Sequence, residues 1–82
     1  METISASVGA GGANRPQDVI KVQNLLNQNR ARVPDAREIT VDGLVGPETI
    51  NAIINFQRHV VGLSNPDGRV DPNGRTLRAL NQ

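Results

Sequence analysis

The chain has no cysteine, no tryptophan and no tyrosine, and Phe56 is its only aromatic residue. Without cysteine there is neither a disulfide framework nor a thiolate metal site, so Val, Leu and Ile must hold the fold alone. Cysteine-free chains live in oxidising and reducing spaces alike, so the compartment stays open. A sugar-stacking surface made from amphipathic aromatic rings is excluded, because its usual residues are missing. Excess charge is missing too. The formal net charge is +1, too balanced for a dedicated polyanion binder. No apolar run approaches the roughly 20 residues of a membrane-spanning helix. The segment Met1–Ser7 has neither the basic nor the apolar region of a secretory signal. With 82 residues the chain is expected to form one small domain with a thin core.

What is present is organised around residues 46–60. Pro47 suits a first helical turn, Glu48 suits the positive end of the helix dipole, and Arg58 and His59 suit the negative end. Ile50, Ile53 and Ile54 form one apolar face, and Ala52, Phe56 and Val60 form an adjoining one. A helix apolar over so much of its girth packs against more than one neighbour. Upstream, residues 1–13 end in Gly9-Ala10-Gly11-Gly12-Ala13 and are expected to form a flexible lead-in; their glycine spacing fits no phosphate-binding loop. The domain proper is expected over 14–82. Asn14 and Gln17 predict a capping-box start with Pro16 in the first turn. Val19, Val22, Leu25 and Leu26 make a core-facing stripe, with Asp18, Lys21 and Asn24 on the wet side. Pro34 interrupts a polar connection over 29–41, and Ile39-Thr40-Val41 is expected to be extended. After a turn-rich stretch with Gly62 as the helix stop, a last helix starts at Pro72 or Gly74 and ends near Leu80, with Asp71 as its cap. The expected fold is all-α, a compact three-helix bundle with short extended and turn segments.

The chain also repeats itself. Asp42-Gly43-Leu44-Val45-Gly46-Pro47 aligns with Asp67-Gly68-Arg69-Val70-Asp71-Pro72, each followed by a Thr and, three residues later, an Ala. The repeated device is an Asp-Gly turn feeding a Pro-started helix, which makes Asp42 and Asp67 turn formers. Catalysis finds little support. His59 is the lone histidine, and Ser5, Ser7 and Ser64 fall in lead-in or turn segments. A pairing of Glu48 with Asp42 has no cleft in which to tune an acid. One histidine among scattered carboxylates is a poor start for zinc, and Asp67, Asp71 and Asn73 miss the order of a calcium loop. A nucleic-acid-binding helix-turn-helix would need more than Arg75 and Arg78 on its last helix. The sequence predicts no enzyme, no catalytic residue, no metal and no cofactor.

Val19, Val22, Gln23 and Leu26, then Val41, Asp42, Gly43, Gly46, Pro47, Thr49, Ala52, Ile53, Phe56 and Gln57, then Asp67, Gly68, Val70, Thr76 and Leu80 together resemble the three-helix peptidoglycan-binding domain found beside cell-wall hydrolases of bacteria and phages. Ser7–Pro16 also resembles the N-terminal modules of toxins that bacteria inject through contact-dependent secretion systems. The resemblance implies a non-catalytic module that targets an attached hydrolase or toxin to the bacterial cell wall. It would work in the periplasm or outside the cell, reached without an N-terminal signal, as a monomer. Leu77 stands where many members carry Trp, which favours the stem peptide over the glycan as the partner. Stem carboxylates suit arginine and helix N-terminal N–H groups. Eight of the nine basic residues are arginine, Lys21 being the exception. Arg69, Asn73 and Arg75, near the starts of the second and third helices, are the expected groove, with Asn51 and Arg58 on the wet side of the central helix as further candidates. The alternative is a protein-interaction module that docks a secreted effector onto its delivery apparatus or an adaptor.

Overall fold

A computed structural model describes residues 1–82. Three helices carry the fold: α1 (Pro16–Gln28), α2 (Pro47–Phe56) and α3 (Arg75–Leu80). A single turn of 3₁₀ helix follows α1 at Arg30–Arg32, and a wide π-type turn, Gln57–Val61, extends α2. Two short strands, β1 (Val8–Gly9) and β2 (Arg69–Val70), pair antiparallel with Val8 opposite Val70 and Gly9 opposite Arg69. The expected small helical bundle is the observed one.

The core follows the sequence periodicity. Val19, Val22, Leu25 and Leu26 of α1 meet Ile53 and Phe56 of α2 and Leu77 and Leu80 of α3. Ile53 and Phe56 are fully buried, while Ile50 and Ile54 at the edge of the same face are half-buried. Asn29, just past α1, is buried and its amide donates to the carbonyls of Leu25 and Leu80 at 2.8 and 2.9 Å, tying the ends of α1 and α3 together. The wide turn closes as glycine-stopped helices do. Gly62 takes φ +85°, and the Gly62 and Leu63 N–H groups both donate to Gln57 C=O.

Several local expectations are corrected. Residues 1–13 are not loose. Ile4 and Val8 enter the core, and Val8 is completely buried against β2. The glycines of that stretch serve a bend: Asn14, at φ +55°, turns its side chain back onto Gly9, accepting from its N–H and donating to its C=O. Asn14 is therefore not the helix cap; Arg15 is, and it makes no side-chain cap bond. Asp18 is not on the wet side but 4% exposed. Its carboxylate accepts from Ser5 N–H, Ser5 Oγ and Ala6 N–H at 3.0, 2.7 and 3.2 Å, and so clasps the N-terminal arm to α1. Burial of that carboxylate works to raise its pKa, but the three donors and nearby Lys21 outweigh it and the pKa is lowered. Asp71 does not cap α3; Gly74 occupies the cap position. Ile39–Val41 joins no ladder. Instead the Asn27 amide pins Ile39 from both sides, donating to its C=O and accepting from its N–H.

Candidate functional site

The internal repeat is a repeat of hydrogen bonds around two buried glutamines. In the first unit Gln23 Oε1 accepts from the N–H groups of Asp42 and Gly43, both at 3.0 Å. Its Nε2 lies within 3.0–3.1 Å of Asp42 Oδ1, Leu44 C=O and Thr49 Oγ1, three acceptors for two protons. In the second unit Gln57 Oε1 accepts from Gly68 N–H at 2.9 Å, and its Nε2 reaches Asp67 Oδ1, Arg69 C=O and Thr76 Oγ1 at 2.8–3.2 Å. Each Asp also accepts from the N–H two residues on, Leu44 and Arg69 respectively, at 3.0 Å. These are Asx turns.

The carboxylate chemistry follows from that geometry. Asp42 is held below the ordinary carboxylate value chiefly by Leu44 N–H and then by the Gln23 amide, against a smaller opposing effect of burial. Asp67 is lowered first by the Gln57 amide, against burial, with help from Arg69 N–H and the Arg69 charge. In each carboxylate Oδ1 takes both turn-forming donors, so Asp42 and Asp67 serve as turn formers. His59 is exposed on the wide turn and no side-chain partner meets it. Nowhere do three or more His, Cys, Asp or Glu side chains gather as metal ligands would.

The groove with the most convergent chemistry lies between the end of α1, the loop 33–39 and one face of α2, with a volume of about 320 Å³. Leu26, Val33, Ile39, Ala52 and Phe56 form its apolar lining, and Asn27, Arg30, Asp35, Arg37, Glu38, Glu48, Asn51 and Asn55 supply its polar groups. Part of that polar set is already committed to the fold. Arg30 pairs with Glu38 at 3.7 Å, and Glu48 Oε1 accepts from Thr40 N–H at 3.0 Å. The side chains of Asp35, Arg37, Asn51 and Asn55 are exposed and make no hydrogen bond to the protein. One cation, one carboxylate and two amides are thus free to receive a ligand. Asn51 and Asn55 stand one helical turn apart on the same face of α2.

The expected site residues fall on separate surfaces. Asn51 lies in this groove. Arg69 and Arg75 share a shallow cleft with Asp67 and Asp71, and Arg69 Nε is already bonded to Asp71 Oδ1 at 2.9 Å. Two carboxylates therefore offset the two guanidiniums. Asn73 lies in a different depression beside Met1 and Glu2, with φ +61°. Arg58 lines no cavity, and the starts of α2 and α3 share none. Arg37 and Asn55 were not among the expected residues. The signal that points to Asn55 is its spacing of four from Asn51; Arg37, in an irregular loop, carries no such signal. Phe56 is a core residue, 1% exposed, with the Arg32 guanidinium 5.5 Å from its ring centre. It offers no open aromatic face.

Three short helices around a single apolar seam, with a groove of mixed apolar and polar lining and two amide-pinned turns, describe a small binding module. A family of such modules, described as "Putative peptidoglycan binding domain", matches residues 15–80. The match spans most of the chain, and the chain belongs to that family. No curated protein and no solved structure gives a significant match. The family match begins after the N-terminal arm, yet that arm contributes Ile4 and Val8 to the core.

Proposed function

We propose that this chain is a non-catalytic module that holds the stem peptide of peptidoglycan and keeps an attached hydrolase or toxin at the bacterial cell wall. The family match over residues 15–80 is the observation that carries this reading. The groove between α1, the loop 33–39 and α2 supports the stem peptide as the contact, because Arg37 can receive a carboxylate and Asn51 and Asn55 can bond peptide groups. The exposed surface lacks aromatic rings, which argues against sugar stacking. Tethering acts by raising the local concentration of the attached domain at its polymer, in the periplasm or outside the cell. Arg69 and Arg75 form a secondary candidate surface, weakened by their acidic neighbours.

Co-sedimentation of the full chain with purified sacculi tests the reading. The wild-type chain is expected in the pellet. Arg37→Ala and the double change Asn51→Ala with Asn55→Ala are expected to reduce that fraction several-fold, and Arg69→Ala and Arg75→Ala to reduce it less. Full retention by the first two variants would refute this groove, and no retention of the wild type would refute the function.

A further inference from the structure

The two Asp-Gly units share their hydrogen bonds except that Asp42 N–H also reaches its glutamine and Asp67 N–H does not; they differ more in what lies beside them. In the second unit, Val70 sits opposite Val8 in the ladder, and the next link is Ala10 N–H donating to Gly68 C=O at 2.9 Å. The alternation of an antiparallel pair makes Val8 and Val70 a hydrogen-bonded pair and leaves Gly9 and Arg69 as the non-bonded pair between the links. In the first unit the counterparts of Val70 and Gly68 are Val45 and Gly43. The Val45 N–H, the Val45 C=O and the Gly43 C=O have no hydrogen-bond partner in the protein. Flanking side chains correspond as well. Gly68 packs against Ile54, and Gly43 packs against Ile20. Ile20 is 40% exposed, and Leu44, the counterpart of Arg69, is 69% exposed. The first unit thus presents an apolar margin and unpaired main-chain groups, where the second unit has a paired strand.

The strand that fills the second unit shows what fits. Gly9 has φ +118°, and an L-configured Cβ there would collide with Gly68 C=O. That φ is the mirror image of the one an extended L-residue takes, so it suits a D-residue, whose Cβ leaves Cα on the other side. Val8 and Ala10, on either side, have ordinary negative φ. A strand in this position therefore takes an L-residue followed by a residue of D-type backbone, then one more amide N–H for the turn carbonyl. Bacterial stem peptides have that order, with D-alanine after an L-configured centre of the diamino acid and another alanine amide beyond it.

We propose that the Leu44–Val45 edge binds the L-to-D step of a peptidoglycan stem by strand addition, with D-alanine in the place that Gly9 holds on β2. This rests on the peptidoglycan-binding reading and adds a second contact outside the groove. Val45 bonds the L-residue through its N–H and C=O, Gly43 C=O accepts from the amide after the D-alanine, and Ile20 and Leu44 cover the chain. An L-residue in the second place is rejected by the turn carbonyl.

The test is an NMR titration of the ¹⁵N-labelled full chain with N-acetyl-L-Lys-D-Ala-D-Ala, alongside its all-L counterpart. The mixed peptide is expected to shift the amides of Gly43, Leu44 and Val45. The all-L peptide should bind about tenfold or more weakly, the penalty for forcing an L-residue to positive φ. Methylating the amide nitrogen of the last alanine removes the donor to Gly43 C=O and should weaken binding about tenfold. That change is made in the peptide, so it holds whether or not a Val45→Pro variant folds. Equal response to both peptides would overturn the proposal, as would shifts confined to Arg37, Asn51 and Asn55. A Val45 shift that depends on protein concentration without peptide would show a second copy on the edge and would also overturn it. Retention on sacculi with no Val45 response would sink the edge and leave the parent reading intact. A Val45 response selective for the mixed peptide without retention on sacculi would do the reverse.

Discussion

The first and second Asp-Gly units use the same parts and end in different states. Each has a buried glutamine, a turn carboxylate and a helix threonine, and each glutamine satisfies the turn from inside the core. The second unit is sealed by β1, so Val70 is fully buried. The first is left open, so Val45 is only half-buried and Leu44 stands out to solvent. One motif can therefore serve as a structural joint in one place and as an exposed edge in another, depending on whether the chain supplies its own strand.

That equivalence can be broken most severely at the glutamines. Gln23→Leu and Gln57→Leu each strand at least one buried N–H and several acceptors. Each is expected to cost about 3 kcal/mol or more, a large share of the roughly 4–12 kcal/mol available to a chain of this length. Urea denaturation should give similar losses for both. A loss confined to Gln57→Leu would mean that the open unit contributes little to stability. The covering strand comes next. Gly9→Ala should cost about 2–3 kcal/mol through strain and collision at Gly68, whereas Leu44→Ala on the open unit should stay within about 0.5 kcal/mol. Equal effects would remove the distinction between sealed and open.

Acid denaturation sharpens the comparison further. Asp18, Asp42 and Asp67 all have pKa values lowered below the ordinary 3.8. The unfolded chain therefore takes up these protons first. The stability they give is complete above that value and is lost as the pH falls through the folded-state values. Asp18→Asn should cost about 1–2 kcal/mol at neutral pH and make the acid branch of the stability curve less steep. The smallest expected stability effect is at Arg37→Ala, within about 0.5 kcal/mol. Its signature is weaker retention on sacculi with unchanged thermal unfolding.

The helices and core were legible because their apolar residues recur with the helical period, as Val19, Val22 and Leu26 do. The turns were legible because Asp-Gly has a local chemistry. The N-terminal arm was not. A two-residue strand is too short to show a period, and Ile4 and Val8 are single apolar residues among small ones. Asp18 was misplaced for a related reason. Helical spacing gives it a solvent-facing position, and only the returning Ser5–Ala6 segment covers it. The glutamine hubs leave a trace, since Gln23 and Gln57 each precede an Asp-Gly-…-Thr pattern, but their burial depends on contacts across 10 to 26 residues. The groove was only partly visible. Asn51 could be placed on a helix face, while Arg37 sits in an irregular loop whose position is set by Asn27.

The glutamine-pinned turns also govern how the chain ages. Aspartate followed by glycine is prone to spontaneous rearrangement, in which the glycine nitrogen attacks the side-chain carbonyl carbon and a succinimide ring closes. Here Gly43 N–H is committed to Gln23 Oε1 and Gly68 N–H to Gln57 Oε1, and both carboxylates are fixed in place by further bonds. The native fold thus shields both Asp-Gly linkages, and isoaspartate should form at Asp42 and Asp67 only as fast as these turns open.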